Sequence, residues 1–148
     1  MNTHTLTFTV TAPRNTVFNF LADIENLPKW SGGYCEGLSL QRGRWWAFTA
    51  DGEQVVEIES SNGTGVIDFR AGPLPEQMTL TPIRVMALSA RLTLVSFILI
   101  EATDRGPAIF ERRCQLWREA VKGLLQRFGG GEFHSPDTAP QLLELGLN

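Results

Sequence analysis

The chain has 148 residues, 43% of them hydrophobic and 20% charged, with 13 Lys+Arg against 16 Asp+Glu and a net charge of −3. This suits one globular domain whose core needs no metal or disulfide staple, and it argues against wholesale disorder. The slight acidity argues against nucleic-acid binding, which needs a basic face.

Residues Thr3 to Thr11 alternate, with Leu6, Phe8 and Val10 on one face and threonines on the other, predicting a half-buried strand. Pro13 then opens a helix in which Val17, Phe18, Leu21 and Ile24 recur at helical spacing, and the helical region closes over Leu27-Pro28-Lys29-Trp30 before Gly32-Gly33. From Tyr34 to about Ala102 the chain reads as strands at 34–41, 44–50, 53–61, 64–71, 77–86 and 90–102. They are separated by Arg42-Gly43, Asp51-Gly52, Asn62-Gly63 and a Gly72-Pro73-Leu74-Pro75 loop. Residues 104–128 form a long helix with Asp104 as its expected N-cap. Phe110, Cys114, Trp117, Val121, Leu124 and Phe128 make its apolar stripe. A domain over 1–129 and a tail over 130–148 are expected. The tail ends in Leu142-Leu143-Glu144-Leu145.

Several chemistries lack their motifs. The N-terminal stretch does not read as a secretory signal, and the longest apolar run, Leu92 to Ile100, is about half a membrane span. A cytoplasmic protein is expected. Cys35 and Cys114 form no metal-binding spacing with each other or with His4 and His134, and no phosphate loop, GxSxG or HExxH occurs. No cofactor is implied.

Two-residue hairpins at Asp51-Gly52 and Asn62-Gly63 would set Trp45 opposite Ile58, Ile58 opposite Ile67, and Val56 opposite Phe69. One face then carries Trp45, Ala47, Thr49, Gln54, Val56, Ile58, Ile67 and Phe69, without a charge, and is expected to meet the long helix. The other carries Trp46, Phe48, Val55, Glu57, Glu59, Asp68 and Arg70, with Glu57 opposite Asp68. An Arg42-Gly43 loop would set Leu40 opposite Trp45 and bring Glu36, Thr49 and Gln54 together as a polar end of the inner wall. There a carboxylate is a candidate general acid or base. For strands 77–86 and 90–102 both faces are apolar, and their inner face is left open.

The order of one strand, two short helices, six antiparallel strands and a long C-terminal helix resembles the helix-grip fold. Phe8 to Pro13, Val17-Phe18-Asn19-Phe20-Leu21-Ala22-Asp23 and Asn26-Leu27-Pro28-Lys29-Trp30 look like the START/Bet v 1-like (SRPBCC) superfamily, especially its bacterial polyketide cyclase/dehydrase-like members. Val66-Ile67-Asp68-Phe69-Arg70 resembles a strand that often reads Asp-His-Arg in such proteins; here Phe69 replaces the histidine. The resemblance implies an α+β fold in which a seven-stranded curved sheet wraps around the long helix. It also implies a cavity for a small hydrophobic or aromatic molecule.

Trp45, Thr49, Gln54, Val56, Ile58, Phe69, Phe110, Cys114 and Trp117, with Glu36, are the candidate ligand-binding residues; the apolar ones equally suit plain core packing. Arg84 is a further candidate if its strand turns it inward. Binding of a small hydrophobic molecule leads, with a polyketide cyclase/dehydrase-type enzyme as the alternative. An interaction module with a filled core is a third reading, and self-association is left open.

Overall fold

The computed structural model describes residues 2–102 and 106–134, the last four by backbone alone. Its elements are β1 (Thr3–Val10), α1 (Arg14–Ala22), a 3-10 turn (Ile24–Asn26), α2 (Leu27–Trp30), β2 (Gly37–Gln41), β3 (Arg44–Thr49) and β4 (Gly52–Ser61). They continue with β5 (Val66–Gly72), β6 (Thr79–Ser89), β7 (Leu92–Ile100), α3 (Pro107–Phe128) and β8 (Gly130–His134). The strands form one antiparallel sheet in the order β2-β3-β4-β5-β6-β7-β1-β8. The seven expected strands are present. The eighth, Gly130–His134, lies where a tail is expected: Gly129, at φ 92, turns the chain back beside β1, and Thr11 N donates to Gly129 O at 3.2 Å. Asp104 and Leu142–Leu145 lie outside the described residues. Among the described residues no helix is long and apolar enough to cross a membrane.

The hairpin registers differ from expectation by two residues. Trp45 pairs with Val56 and Ile58 with Phe69, because the loops close differently. The β3–β4 loop is Ala50-Asp51, with Gly52 at φ 104 taking the left-handed position; Thr49 Oγ1 donates to Gly52 O and accepts from Asp51 N. The β4–β5 loop has four residues, and its left-handed residue is Gly65 at φ 73. The Arg42-Gly43 turn forms as expected, both residues at positive φ, with Leu40 opposite Trp45. A shift of two leaves every side chain on its face, since the side-chain period is two. On the outer face Glu57 therefore opposes Arg70, and Glu59 opposes Asp68. Asp68 is answered by Arg84 at 3.2 Å, which places Arg84 on the outer face and not in the cavity.

β6 and β7 turn Thr79, Thr81, Ile83, Val95, Phe97 and Leu99 inward. These join Leu6, Phe8 and Val10 of β1, all fully buried, under the α3 stripe of Phe110, Cys114, Val121 and Leu124. Thr93 is a polar residue at 0% exposure, and its hydroxyl donates to Ala12 O at 2.7 Å. α1 closes one end: Phe20 meets Phe128 edge-on at 5.5 Å, and Arg127 lies over the Phe20 ring at 4.5 Å.

The turn after α2 runs close beneath α3. Gly32 has φ +65, and a Cβ there would fall 2.7 Å from the backbone N of Ala120. Gly33 has φ +96 but open space around it. Gly32→Ala is expected to lower the unfolding free energy by about 2–4 kcal/mol, combining backbone strain with a clash that only moving α3 relieves. Gly33→Ala bears strain alone, about 1 kcal/mol. Urea denaturation measures both, and equal effects would refute the close approach as the cause.

Candidate functional site

The C-terminal half of α3 is seated on the sheet, with Val121 and Leu124 at 0% and 1% exposure. The half that begins at Gly106 stands off β4, β5 and β6, leaving an open cavity of about 420 Å³. Phe69 and Ala71 of β5, and Thr79 and Thr81 of β6, form its floor. Ile109, Phe110, Arg113, Leu116 and Trp117 of α3 form its roof. Leu27, Trp30 and Tyr34 close one side, and Asp51 and Arg112 meet across it in an ion pair at 2.8 Å. Both partners of that pair are more than half exposed, so it tethers the β3–β4 turn to α3 with little net stabilisation.

Trp117 is the centre of the apolar wall. Its ring lies 4.9 Å from Phe97, 5.6 Å from Phe69 and 5.8 Å from Trp30, centroid to centroid. Such tilted and edge-on pairs each add roughly 0.5–1.5 kcal/mol beyond area burial. Trp30 also stacks on Phe97 at 6.1 Å. It is 2% exposed, and its indole N–H has no acceptor among the described residues. Trp30 therefore serves both the core and the cavity wall.

The polar groups gather around Tyr34. Its hydroxyl donates to Gln54 Oε1 at 2.5 Å, which leaves the Gln54 amide N–H groups as donors. Arg113 Nη1 donates to Ile100 O at 2.8 Å, and Nη2 stands 3.5 Å from Thr81 Oγ1. Burial first, and then the neighbouring Cys35, push the Tyr34 phenol well above its ordinary pKa, against an opposing pull from Arg113. The phenol is thus a neutral hydrogen-bond donor at physiological pH, with a guanidinium close enough to act on it. Burial also pushes the Cys35 thiol up, and its Sγ donates to Gly37 O at 3.2 Å.

Of the sequence-predicted residues, Gln54, Phe69, Phe110 and Trp117 line the cavity. Trp45, Thr49, Val56 and Ile58 share the inner face but do not border it, and Thr49 closes the β3–β4 turn instead. Cys114 is buried in the core, and Glu36 is exposed just before β2. The expected Glu36–Thr49–Gln54 polar end therefore does not assemble: Gln54 is partnered by Tyr34. Among the described residues no three of His, Cys, Asp and Glu gather into a metal-binding group.

Sequence reasoning missed Tyr34, Thr81 and Arg113. Arg113 had a legible signal: it lies three residues after Phe110 and four before Trp117, on the flank of the apolar stripe. Thr81 needed the β5–β6 register. Tyr34 lies in an irregular segment with no period to read.

Because the chain has a single tyrosine, its ionisation is directly observable. The folded phenol stays protonated while an unfolded one ionises near its ordinary value of 10.0. Stability therefore falls as the pH rises above about 10. Ultraviolet difference spectroscopy is expected to show no tyrosinate at that pH until the chain unfolds, and then one cooperative rise. An ordinary titration curve in the folded protein would refute the burial argument.

No family model and no curated protein sequence matches the chain. Solved structures do. The protein XoxI from Bacillus cereus superposes with a TM-score of 0.67 at 16% identity, covering 86% of this chain and 96% of that one. A START superfamily protein from Mycobacterium smegmatis gives 0.60 at 16%, covering 84% and 97%. The di-domain ARO/CYC BexL from the BE-7585A biosynthetic pathway gives 0.65 at 19%, covering 84% of this chain and 45% of that one. At these identities the likeness is one of fold, and it agrees with the strand order, the two short helices and the long gripped helix: the chain has the START/Bet v 1-like (SRPBCC) helix-grip fold.

Proposed function

We propose that the protein binds a small, largely aromatic molecule in the cavity between α3 and the sheet. The observation that carries this is an open space of about 420 Å³ with Trp117, Phe69 and Trp30 on its walls and a polar cluster, Tyr34, Gln54, Thr81 and Arg113, at one side. The volume falls within the roughly 300–1,000 Å³ of sites for small ligands. A filled core, the third expectation, would leave no such space. The apolar walls supply affinity through burial, and the polar side orients an acceptor-bearing end of the ligand. A ligand oxygen would meet a cation and amide donors there, and a buried indole N–H lies in the same wall.

A cyclase-type reaction is the second reading, favoured by the placement of Arg113 within electrostatic reach of the neutral Tyr34 phenol. A guanidinium and a phenol facing a bound carbonyl would stabilise enolate character as it develops. The START superfamily protein and the di-domain ARO/CYC among the fold neighbours are consistent with both ligand binding and cyclase chemistry.

Titration with an anilinonaphthalene sulfonate dye, an aromatic probe bearing an anionic oxygen group, tests the binding reading. One saturable site per chain is expected. Ala71→Phe, which fills the floor, is expected to abolish binding while the melting temperature holds. Arg113→Gln is expected to weaken binding about tenfold, the equivalent of roughly 1.4 kcal/mol. Undiminished dye binding in the Ala71→Phe variant would overturn the assignment of the cavity as the site.

A further inference from the structure

β2 is an edge strand: β3 covers one side, and no strand covers the other among the described residues. Edge strands are usually defended by charge, proline or a bulge. β2 reads Gly37-Leu38-Ser39-Leu40-Gln41, with no charge and no proline. Leu40 is the most exposed of the large hydrophobic side chains described, at 59%. Glu36 and Arg42 flank the strand; both are exposed, and neither forms an ion pair among the described residues.

The hairpin geometry sets which backbone groups are unused. In a two-residue hairpin the residues flanking the loop exchange both hydrogen bonds, so Gln41 pairs fully with Arg44, and Ser39 with Trp46. Leu38 and Leu40 then turn their N–H and C=O groups to the free edge. Two such edges fit antiparallel about a two-fold axis through Ser39. Leu38 of one copy then faces Leu40 of the other and exchanges both hydrogen bonds with it, twice over by symmetry. The same axis brings Glu36, just before the strand, to the side of the other copy's Arg42-Gly43 turn, an acidic residue near a basic one. The neighbouring two-fold registers, centred on position 38 or 40, lose both Leu38–Leu40 pairs, keeping a single leucine opposite its own copy, and lose the charge match.

We propose that β2 is a self-complementary edge through which two copies of this chain associate, joining their sheets with Leu38 against Leu40 and Glu36 near Arg42. One strand a side is a small interface, so the dimer is weak, with a Kd on the order of tens of micromolar.

Sedimentation velocity on the full chain, from about 1 to about 300 µM, reads the association directly. A mass rising from 16.5 kDa toward twice that value is expected. Glu36→Lys and Arg42→Asp each bring like charges near one another and are expected to raise the Kd about tenfold or more. The double variant restores an opposite pair and is expected to return close to the parent value. Leu40→Lys breaks the apolar pair and should abolish the dimer. Unchanged thermal melts verify that these exposed sites leave the fold intact. A chain that stays monomeric throughout the range overturns the proposal and leaves the edge to a strand of another protein or to none. A dimer indifferent to the charge swaps overturns it as well, because it must use another surface.

Discussion

The Trp117 side chain sets the height of α3 above the sheet, and the site depends on that height. Its ring is wedged against Phe97, Phe69 and Trp30 at centroid distances of 4.9–5.8 Å. Behind it the helix presents Val121 and Leu124 and seats fully on the core. Ahead of it the helix cannot come down, because close-packed rings do not compress. The wedge that fills one end of the grip therefore holds open the other.

The open end pairs an apolar lining with few polar groups, and burial changes the character of each. Tyr34 is held neutral by loss of solvent, while Arg113 keeps its charge and spends part of its donor capacity on Ile100 O. A low local dielectric strengthens what remains for an incoming ligand. The hydrogen bonds to Gln54 and Ile100 hold these groups in place before anything binds, which reduces the ordering that binding must impose.

Much of the fold was legible because its signals are local. Alternation in Leu6, Phe8 and Val10 and the Phe110–Phe128 stripe each report one face of one element, and such periods survive errors in register. The β3–β5 faces came out right although both registers were off by two, the β3–β4 loop being placed one residue too late and the β4–β5 loop one residue too early, since Asp51-Gly52 and Asn62-Gly63 mark the vicinity of a turn while Gly52 and Gly65 take the left-handed conformation. The cavity was less legible. Whether Trp45 or Phe69 borders an empty space depends on how high the helix sits, a property of side chains from four elements at once. Tyr34 and Gln54 meet through an irregular connection that no pattern encodes.

Strand order bears on how the molecule comes to be. β1 is hydrogen-bonded on one side to β7 and on the other to β8, so Thr7 meets Ser96 across 89 positions of sequence. The first of these eight strands to be made is thus among the last to find its partners. Until β7 has been made, Leu6, Phe8 and Val10 have no sheet to join, although they end fully buried. The long loop that must close before β1 is rewarded makes for slow assembly, in the manner of high-contact-order folds. A nascent chain therefore carries three side chains of its eventual core uncovered until β7 has been made, and that interval is one of exposure to chaperones and to aggregation.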